Sequence, residues 1–285
     1  MLGFSEVNLL LLIFLPKTVY GSHIINGEKA PANSMQYMVS VQSAGKHMCG
    51  GFLISEDFVV TAAHCSNSKP DVVVVGSHDL QNSNVEKIKI EKQCKHPDYL
   101  DVNYGDDIML LKLSRKVSVN NRVKTIRIAR PGFFLHDNQM CSVAGWGKTE
   151  TSDISNDLRV VNVSIINKDV CNKEWQYGLP PNVICAGGYN TEKGFCQGDS
   201  GGPLVCNGIA VGIVSFNQNF NCAYPNVPNV YINISKYYGW LNDALKNNSR
   251  CGPNFWNESF FKLKSVWVKG LCFLFRSPWL LLGFN

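Results

Sequence analysis

The stretch GFCQGDSGGPLVCNGIAVGIVSF, residues 194–216, sets a single serine in a glycine-rich turn and follows it with two apolar runs. Similar short runs, rich in Val, Ile, Phe and Tyr, recur between Gly27 and Ile234, separated by clusters of turn-forming residues. They include YMVSVQ, FLISEDFVVTAA, DVVVVGS, IMLLKLS, MCSVAGWG, LRVVNVSII, GIAVGIVSF and NVYINI. Turn residues about eight to twelve positions apart are typical of β-sandwiches and β-barrels. The sequence therefore predicts an all-β fold.

One segment near the end of the chain has helical spacing instead. In SKYYGWLNDALKN, residues 235–247, Tyr238, Leu241 and Leu245 recur at helical intervals, and Ser235 is a candidate N-cap. We expect this helix to close the domain. Residues 248–285 mix aromatic and basic residues without a clean period, which indicates an atypical or unstructured tail. A membrane-surface segment and a removed anchor signal are the alternatives for this tail.

The start of the chain and the cysteines indicate an exported protein. Residues 9–15 form an apolar run that is too short to span a bilayer and is followed by the small residue Gly21. This pattern is typical of a secretory signal peptide, which we assign to residues 1–21. Eleven cysteines in an exported chain predict a disulfide framework, because an oxidising compartment preserves such bridges.

Charge and composition exclude several classes of partner. The net charge of +5 is modest and dispersed, so we expect no nucleic-acid partner. A charge of this size still permits weak attraction to acidic glycans. The basic residues of the tail break it into apolar pieces shorter than a membrane span, so membrane association is not the favoured interpretation. Cysteines and histidines lack zinc-site spacing, and we expect neither a metal nor another cofactor.

Three stretches carry candidate chemistry: TAAHC (61–65), DDIMLLKL (106–113) and GDSGGPL (198–204). A serine hydroxyl is a weak nucleophile, so an acyl-transfer site places it beside a base and aims backbone N–H groups at the developing oxyanion. Each stretch taken alone is compatible with an ordinary turn or a packed strand end. Their order along the chain, His, Asp and then Ser, is typical of one serine-hydrolase lineage.

At these stretches, and at IINGEKA, AGWGKT and the SF before Asn217, the sequence resembles the chymotrypsin-like (trypsin-fold, S1) serine peptidases. The resemblance extends from Ile24 to about Asn247 and is strongest with the granule-stored leukocyte and mast-cell peptidases. It implies two six-stranded antiparallel β-barrels, an active site in the cleft between them, and a closing C-terminal helix. Protein or peptide substrates are then expected, and serpin-type inhibitors are candidate partners.

The resemblance also assigns roles to individual residues. Ser200 corresponds to the nucleophile, His64 to the general base, and Asp107 to the acid that orients the imidazole. Asp107 is preferred over Asp106 because the family's acid directly precedes the isoleucine of this strand. The backbone N–H groups of Gly198 and Ser200 correspond to the oxyanion hole. The other histidines belong to no second motif and are interpreted as surface or packing residues: His23, His47, His78, His96 and His136.

In this family, cleavage before the isoleucine creates an α-amino group that pairs with the aspartate before the catalytic serine. The corresponding residues here are Ile24 and Asp199. Only Ser22 and His23 lie between the expected signal cleavage site and Ile24, with no Lys or Arg among them. This layout resembles the two-residue propeptide of granule peptidases, which a dipeptidyl peptidase removes. We therefore expect a secreted protein that is stored in granules.

The resemblance further implies four disulfides: Cys49–Cys65, Cys141–Cys206, Cys171–Cys185 and Cys196–Cys222. Three cysteines remain, for which a free thiol, an intermolecular bridge and a tail absent from the working protein are all open: Cys94, Cys251 and Cys272. Four Asn-x-Ser sequons make N-glycosylation possible where the asparagine is exposed, with the second, in a predicted strand, the least credible: Asn162, Asn233, Asn247 and Asn257.

Substrate choice in the family depends on the pocket that receives the P1 side chain, the residue before the cleaved bond. Gly194 corresponds to the pocket base, where trypsin-like members have Asp, so cleavage after Lys or Arg is not expected. Phe195, Asn217 and Asn229 correspond to its walls and indicate a shallow pocket. We expect small or medium aliphatic P1 residues; cleavage after aromatics is the alternative. A weakly active or non-catalytic granule protein that binds microbes or glycans is the competing class.

Overall fold

In the computed structural model the described residues are 24–149, 152–176, 178–224 and 226–246. The assigned signal peptide, the activation dipeptide and the C-terminal tail lie outside these ranges, and so do two of the sequons. No helix in the described ranges is long and apolar enough to cross a membrane.

The described residues form fourteen β-strands and two α-helices. The strands are β1 (Glu28–Lys29), β2 (Met38–Ser43), β3 (Lys46–Leu53), β4 (Phe58–Thr61), β5 (Val72–Val75), β6 (Glu86–Lys95), β7 (Met109–Leu113), β8 (Arg127–Ile128), β9 (Met140–Gly145), β10 (Arg159–Ile166), β11 (Val183–Ala186), β12 (Pro203–Cys206), β13 (Ile209–Phe216) and β14 (Val230–Asn233). The helices are α1 (Lys168–Glu174) and α2 (Tyr238–Lys246). Short 3-10 turns lie at Ala63–Ser68, Val102–Tyr104, Gln218–Phe220 and Ile234–Lys236.

Six strands close the first barrel in the order β2-β3-β4-β7-β6-β5, with every neighbouring pair antiparallel. Strands β4 and β7 are almost wholly apolar, and Val59 of β4 lies opposite Leu111 of β7 with both side chains fully buried. Strand β6 alternates instead: Ile88 is buried, and its neighbours Lys87 and Lys89 are exposed. This alternation gives the barrel one polar outer face.

The second barrel closes in the order β10-β11-β14-β13-β12-β9, with β9 pairing back onto β10. Strand β1 adds antiparallel to β10, and β8 adds parallel to β13. Val143, Val161, Leu204 and Val214 lie in its core. Two closed six-stranded antiparallel barrels and a C-terminal helix confirm the fold class expected from the sequence.

The apolar run at residues 52–63 is two strands and not one. The chain turns between β3 and β4, where the Ser55 hydroxyl oxygen accepts the N–H of Phe58 and the N–H of Ile54 donates to the Phe58 carbonyl. A polar residue that closes the turn through its own side chain is the physical reason for the break.

The C-terminal helix begins at Tyr238, two residues later than an N-cap at Ser235 predicts. The Asn233 side chain accepts the N–H of Ser235 and starts a separate 3-10 turn, so Ser235 is not the N-cap of α2. The buried positions of this segment are Tyr237, Leu241 and Ala244, which pack into the core cluster that contains the first barrel. Asn233 caps this turn from the end of β14, whereas Asn162 on β10 is exposed.

The four expected disulfides are present: Cys49–Cys65, Cys141–Cys206, Cys171–Cys185 and Cys196–Cys222. Cys94 is disulfide-bonded as well, which contradicts a free thiol at this position. Cys251 and Cys272 lie outside the described ranges.

The two barrels touch where β3 meets the glycine-rich turn before β12. The N–H of Gly50 donates to the carbonyl oxygen of Ser200 at 2.8 Å. A Cβ on Gly50 would lie 3.2 Å from the Cα of Gly202, so a larger residue would force the two backbones apart. The turn that carries Ser200 is thereby held against the first barrel.

The disulfides are expected to stabilise the fold more when the loop that they close is longer, with a logarithmic dependence on loop length. Cys141 and Cys206 are 65 residues apart, and Cys171 and Cys185 are 14 apart. By chain-entropy reasoning, the Cys141→Ala/Cys206→Ala double variant loses about 4 kcal/mol of unfolding free energy and the Cys171→Ala/Cys185→Ala variant about 3 kcal/mol. Urea unfolding of both variants measures the difference, and a larger loss from the shorter loop would contradict this ordering.

Candidate active site

The residues singled out by their chemistry lie at the junction of the two barrels. Strand β4 ends just before His64, and β7 begins just after Asp107. Because Thr61 at the end of β4 pairs with Met109 at the start of β7, the two strand ends bring these side chains together. His64 Nδ1 lies 2.7 Å from Asp107 Oδ2.

Asp107 is fully buried and accepts hydrogen bonds from both barrels. Its Oδ1 accepts the backbone N–H of His64 at 2.8 Å, and its Oδ2 accepts the hydroxyl of Ser215 on β13 at 2.6 Å. Burial alone would raise the pKa of Asp107, but the hydrogen bonds and charge of His64 and the Ser215 hydroxyl hold it below its ordinary value. Asp107 is therefore held as a carboxylate. Its neighbour Asp106 accepts the hydroxyl of Tyr237 instead.

Ser200 lies beside this pair on the turn from the second barrel. Its carbonyl oxygen is 3.8 Å from Sγ of Cys65, the residue after His64. Within the described part of the chain no hydrogen bond joins the Ser200 hydroxyl to His64; in substrate-free sites this bond is often long and tightens when substrate binds. Gly201 follows with φ of +83°, and a Cβ there would lie 2.1 Å from Thr61 Oγ1, so the turn requires glycine.

The backbone before Ser200 leaves two N–H groups available for a developing oxyanion. The carbonyl of Gln197 accepts the N–H of Lys148 at 2.6 Å, which turns the Gly198 N–H to the opposite side of the planar peptide. Gly198 has φ of +93°, and a Cβ there would lie 2.8 Å from the Cα of Gly147. Neither the Gly198 N–H nor the Ser200 N–H has a hydrogen-bond partner among the residues described.

Asp199 lies fully buried beneath this turn. Its carboxylate accepts the N–H groups of Gly147 at 2.8 Å and Cys196 at 2.9 Å. No ion pair in the described ranges includes Asp199, and burial raises its pKa to about 7. Ile24 is also fully buried, and its nitrogen is an amide in the uncleaved chain.

Comparison with known proteins agrees with this geometry. The trypsin family profile matches residues 24–241. Over 250 residues the chain is 38% identical to duodenase-1 of Bos taurus and 36% identical to mast cell protease 3 of Ovis aries, covering 86% of this chain and 98% of each relative. The solved structure of neuropsin, a serine protease of mouse brain, has a TM-score of 0.70 at 30% identity over 77% of this chain and 99% of that one. The chain belongs to the trypsin family.

In this trypsin-family serine endopeptidase, His47 belongs to the site, which corrects its interpretation as a bland surface or packing residue. Its Nε2 lies 2.9 Å from the carbonyl oxygen of Gly198, and its Nδ1 lies 2.8 Å from the Ser40 hydroxyl. Because a carbonyl can only accept, Nε2 carries the hydrogen and Nδ1 accepts from Ser40. Burial lowers the pKa of His47 to about 4, so the neutral ring holds the Gly198 peptide.

Gly194, which the resemblance assigns to the pocket base, has no room for a side chain. A Cβ there would lie 2.3 Å from Nδ2 of Asn229 and 2.7 Å from the Tyr224 hydroxyl oxygen. The sequence singled out Asn229 but not Tyr224, whose hydroxyl donates to the Phe195 carbonyl at 2.7 Å. Phe195 is buried and packs edge-on against the ring of Tyr231. Asn217 is buried beside the Cys196–Cys222 bridge, with Nδ2 3.5 Å from Cys222 Sγ.

Ser215 is a further site residue whose role the sequence did not reveal, although the SF motif that contains it was recognised. Two groups of metal-ligating side chains occur in the described ranges: Cys49, His64 and Cys65, and His96, Asp98 and Asp106. The two cysteines of the first group are joined in a disulfide. In the second, Asp106 accepts the Tyr237 hydroxyl, so both groups have protein partners.

Burial of neutral His47 predicts a pH dependence of stability. The folded-state pKa of about 4 lies below the ordinary value of 6.5, so the unfolded chain binds more protons between these values. Unfolding free energy should therefore fall by up to about 3 kcal/mol as the pH falls from 6.5 towards 4. Asp199, whose pKa is raised, contributes the opposite slope from pH 7 downward.

The His47→Gln variant isolates this contribution, because the Asp199 term is common to both proteins. Urea unfolding at pH 7, 6, 5 and 4 should show wild type losing its stability advantage over the variant as the pH falls. A difference between the two proteins that does not change with pH would show that folding leaves the pKa of His47 at its ordinary value.

Proposed function

We propose that Ser200, His64 and Asp107 hydrolyse peptide bonds through an acyl-enzyme. The observation that carries this proposal is the 2.7 Å contact of His64 with a buried, doubly supported Asp107 at the edge of the turn that bears Ser200. Ser200 Oγ attacks the scissile carbonyl carbon and gives its proton to His64 Nε2. The carbonyl oxygen then carries the negative charge.

The N–H groups of Gly198 and Ser200 stabilise that charge. Collapse of the intermediate breaks the C–N bond, and His64 passes its proton to the departing amine, which leaves an ester on Ser200. Water then attacks the ester, again giving a proton to His64, and the proton returns to Ser200 Oγ as the acid product departs. Asp107 keeps the imidazole oriented with Nδ1 as the donor throughout.

Small or medium aliphatic P1 side chains, namely Ala, Val, Ile, Leu and Met, are proposed as substrates, and Lys and Arg are not. Gly194 offers no carboxylate to neutralise a basic side chain, and burying such a charge unpaired is costly. The contacts of Asn229 and Tyr224 at the Gly194 Cβ position reduce pocket depth, which also disfavours the large aromatic rings of the alternative specificity. The presence of all three reactive residues favours catalysis over a purely microbe- or glycan-binding protein.

Activation is proposed to occur by cleavage before Ile24. The new ammonium would pair with Asp199, a carboxyl whose pKa burial raises to about 7, and the positive charge would favour its ionised form. The proposed activator is a dipeptidyl peptidase that removes Ser22 and His23. We further propose that the protein is stored in granules and then secreted, and the similarity to a relative named mast cell protease 3 supports this. Serpin-type inhibitors and acidic glycans, which would bind weakly, are the proposed further partners.

The catalytic proposal predicts a contrast between two neighbouring carboxylates. Asp107→Asn should lower kcat about a thousandfold or more, because the amide favours the wrong tautomer of His64. Asp106→Asn should stay within a few-fold of wild type, because Asp106 contacts Tyr237 and not His64. Peptide hydrolysis and fluorophosphonate labelling, with Ser200→Ala as the blank, measure both. Equal losses in the two variants would refute the role of Asp107.

The activation proposal predicts that activity depends on the exact residue at which the mature protein begins. Protein that begins at Ile24 should be active, and protein that begins at His23 should be about a hundredfold or more less active, because its ammonium is one residue out of place. Asp199→Asn should remove the difference by inactivating the shorter form. Active-site titration and kcat/KM measure this, and N-terminal sequencing of the secreted protein should find Ile24. Equal activity of the two forms would refute the scheme.

A further inference from the structure

Three metal-ligating side chains form a cluster at the loop between β6 and β7: His96, Asp98 and Asp106. One ring nitrogen of the histidine and one carboxylate oxygen of each aspartate all lie within 4.8 Å of one another. The N–H of His96 donates to the carbonyl of Ile108 at 3.0 Å, which brings the two ends of the loop together. The sequence did not indicate this cluster, because Asp106 joins the other two residues only when the loop closes.

The two carboxylates of this cluster have no basic partner. Within the described ranges, neither Asp98 nor Asp106 forms an ion pair with a lysine or an arginine. Asp98 Oδ2 lies 4.0 Å from Nδ1 of His96. Like charges at such short distances repel each other, and a cation placed among them removes that repulsion. The cluster therefore favours a positively charged ligand.

The imidazole of His96 is held in place with a lone pair directed at the cluster. The ring packs edge-on against Tyr237 and against Trp240, with centroids 5.2 Å apart in both contacts. The N–H of Asp98 donates to Nδ1 over a long 3.4 Å, so Nδ1 carries a lone pair and not a hydrogen. A neutral imidazole nitrogen of this kind is a common metal ligand.

The two aspartates supply one oriented carboxylate and one movable carboxylate. Asp106 Oδ1 accepts the hydroxyl of Tyr237 at 2.7 Å, and its Oδ2 has no hydrogen bond within the described part of the chain. An outer hydrogen bond of this kind orients a ligating carboxylate. The Asp98 side chain is largely exposed. It can therefore move inward, as ligand atoms about 2 Å from one metal ion require.

We propose that His96, Asp98 and Asp106 bind one zinc ion, with water as the fourth ligand. One imidazole nitrogen and two carboxylate oxygens are donors that zinc accepts, whereas calcium and magnesium prefer oxygen ligands alone. The bound ion ties together the two ends of the loop between β6 and β7 and so stabilises the folded protein. This site goes beyond the proposed function and does not depend on peptide hydrolysis.

The experiment measures zinc binding to protein that begins at Ile24 and carries Ser200→Ala, which prevents self-digestion. After removal of metals with EDTA and dialysis, calorimetric titration at pH 7.5 should find one zinc ion per chain. At a zinc concentration a hundredfold above Kd, the melting temperature should rise by about 5 °C or more. Calcium should bind at least tenfold more weakly than zinc. Absence of zinc binding, or equal binding of calcium, would overturn the proposal.

The variant Asp98→Asn assigns the ion to the cluster. It should weaken zinc binding at least tenfold, because an amide oxygen is a poorer ligand than a carboxylate. Its melting temperature without metal should equal that of the parent, because the side chain is largely exposed. Asp243→Asn, a change of an exposed aspartate on α2, is the matched control and should leave zinc affinity unaltered. Equal zinc affinity in Asp98→Asn and the parent would overturn the assignment.

His64 is the competing zinc ligand, because its side chain is partly exposed. In the same Ser200→Ala protein, His64→Gln should leave both the zinc affinity and the melting shift unchanged. Loss of binding in His64→Gln, with binding intact in Asp98→Asn, would place the ion at the active site and overturn the proposal. Wild type that binds zinc at the cluster but hydrolyses no peptide would refute the peptidase proposal alone.

Discussion

The hydrogen bonds to the Asp107 carboxylate are the constraint on which the rest of the site depends. A fully buried carboxylate is costly unless donors replace its water. Two of its donors come from His64 in the first barrel, and the third comes from Ser215 in the second. The group therefore ties the barrels together at the point where the imidazole needs support. Removing the donors of His64 or the hydroxyl of Ser215 would leave the buried Asp107 carboxylate with too few hydrogen bonds. The contact between the barrels and the orientation of His64 therefore depend on the same carboxylate.

The turn before Ser200 is supported in a different way, by groups whose charge state depends on burial. Neutral His47 donates to the Gly198 carbonyl, and the Lys148 N–H donates to the Gln197 carbonyl. These two hydrogen bonds fix the orientation of the two consecutive peptide groups. Beneath them Asp199 has two backbone donors and no cation in the described ranges. A buried carboxyl with a pKa of about 7 is partly protonated near neutrality, and a new ammonium nearby would favour its charged form. The turn is thus already shaped, while its buried carboxyl lacks a counterion.

The sequence predicted the barrels and the candidate reactive residues from short motifs, and its errors have local causes. Strand β6 was not recognised because EKIKIEKQCK reads as polar, although Ile88 turns inward on the closed barrel. Residues 52–63 were grouped as one run, although Ser55, Glu56 and Asp57 interrupt its apolar residues and the Ser55 hydroxyl closes a turn there. His47 looked ordinary because its partner, the Gly198 carbonyl, is 151 residues away. Contacts between distant backbone groups leave no periodic signal in a single sequence.

The surroundings of Gly194 also could not be predicted from the sequence. The sequence shows that residue 194 is Gly and not the Asp of trypsin-like members. It does not show which side chains occupy the space that an Asp side chain would fill. The side chains that fill it come from the segment after Cys222, and one of them, Tyr224, matched no motif. The proposed specificity pocket is therefore a volume shared by two segments that are covalently joined through the Cys196–Cys222 bridge. The bridge therefore holds the segment after Cys222 to the turn that carries Ser200, so the two segments that would form the pocket cannot separate while the disulfide is intact.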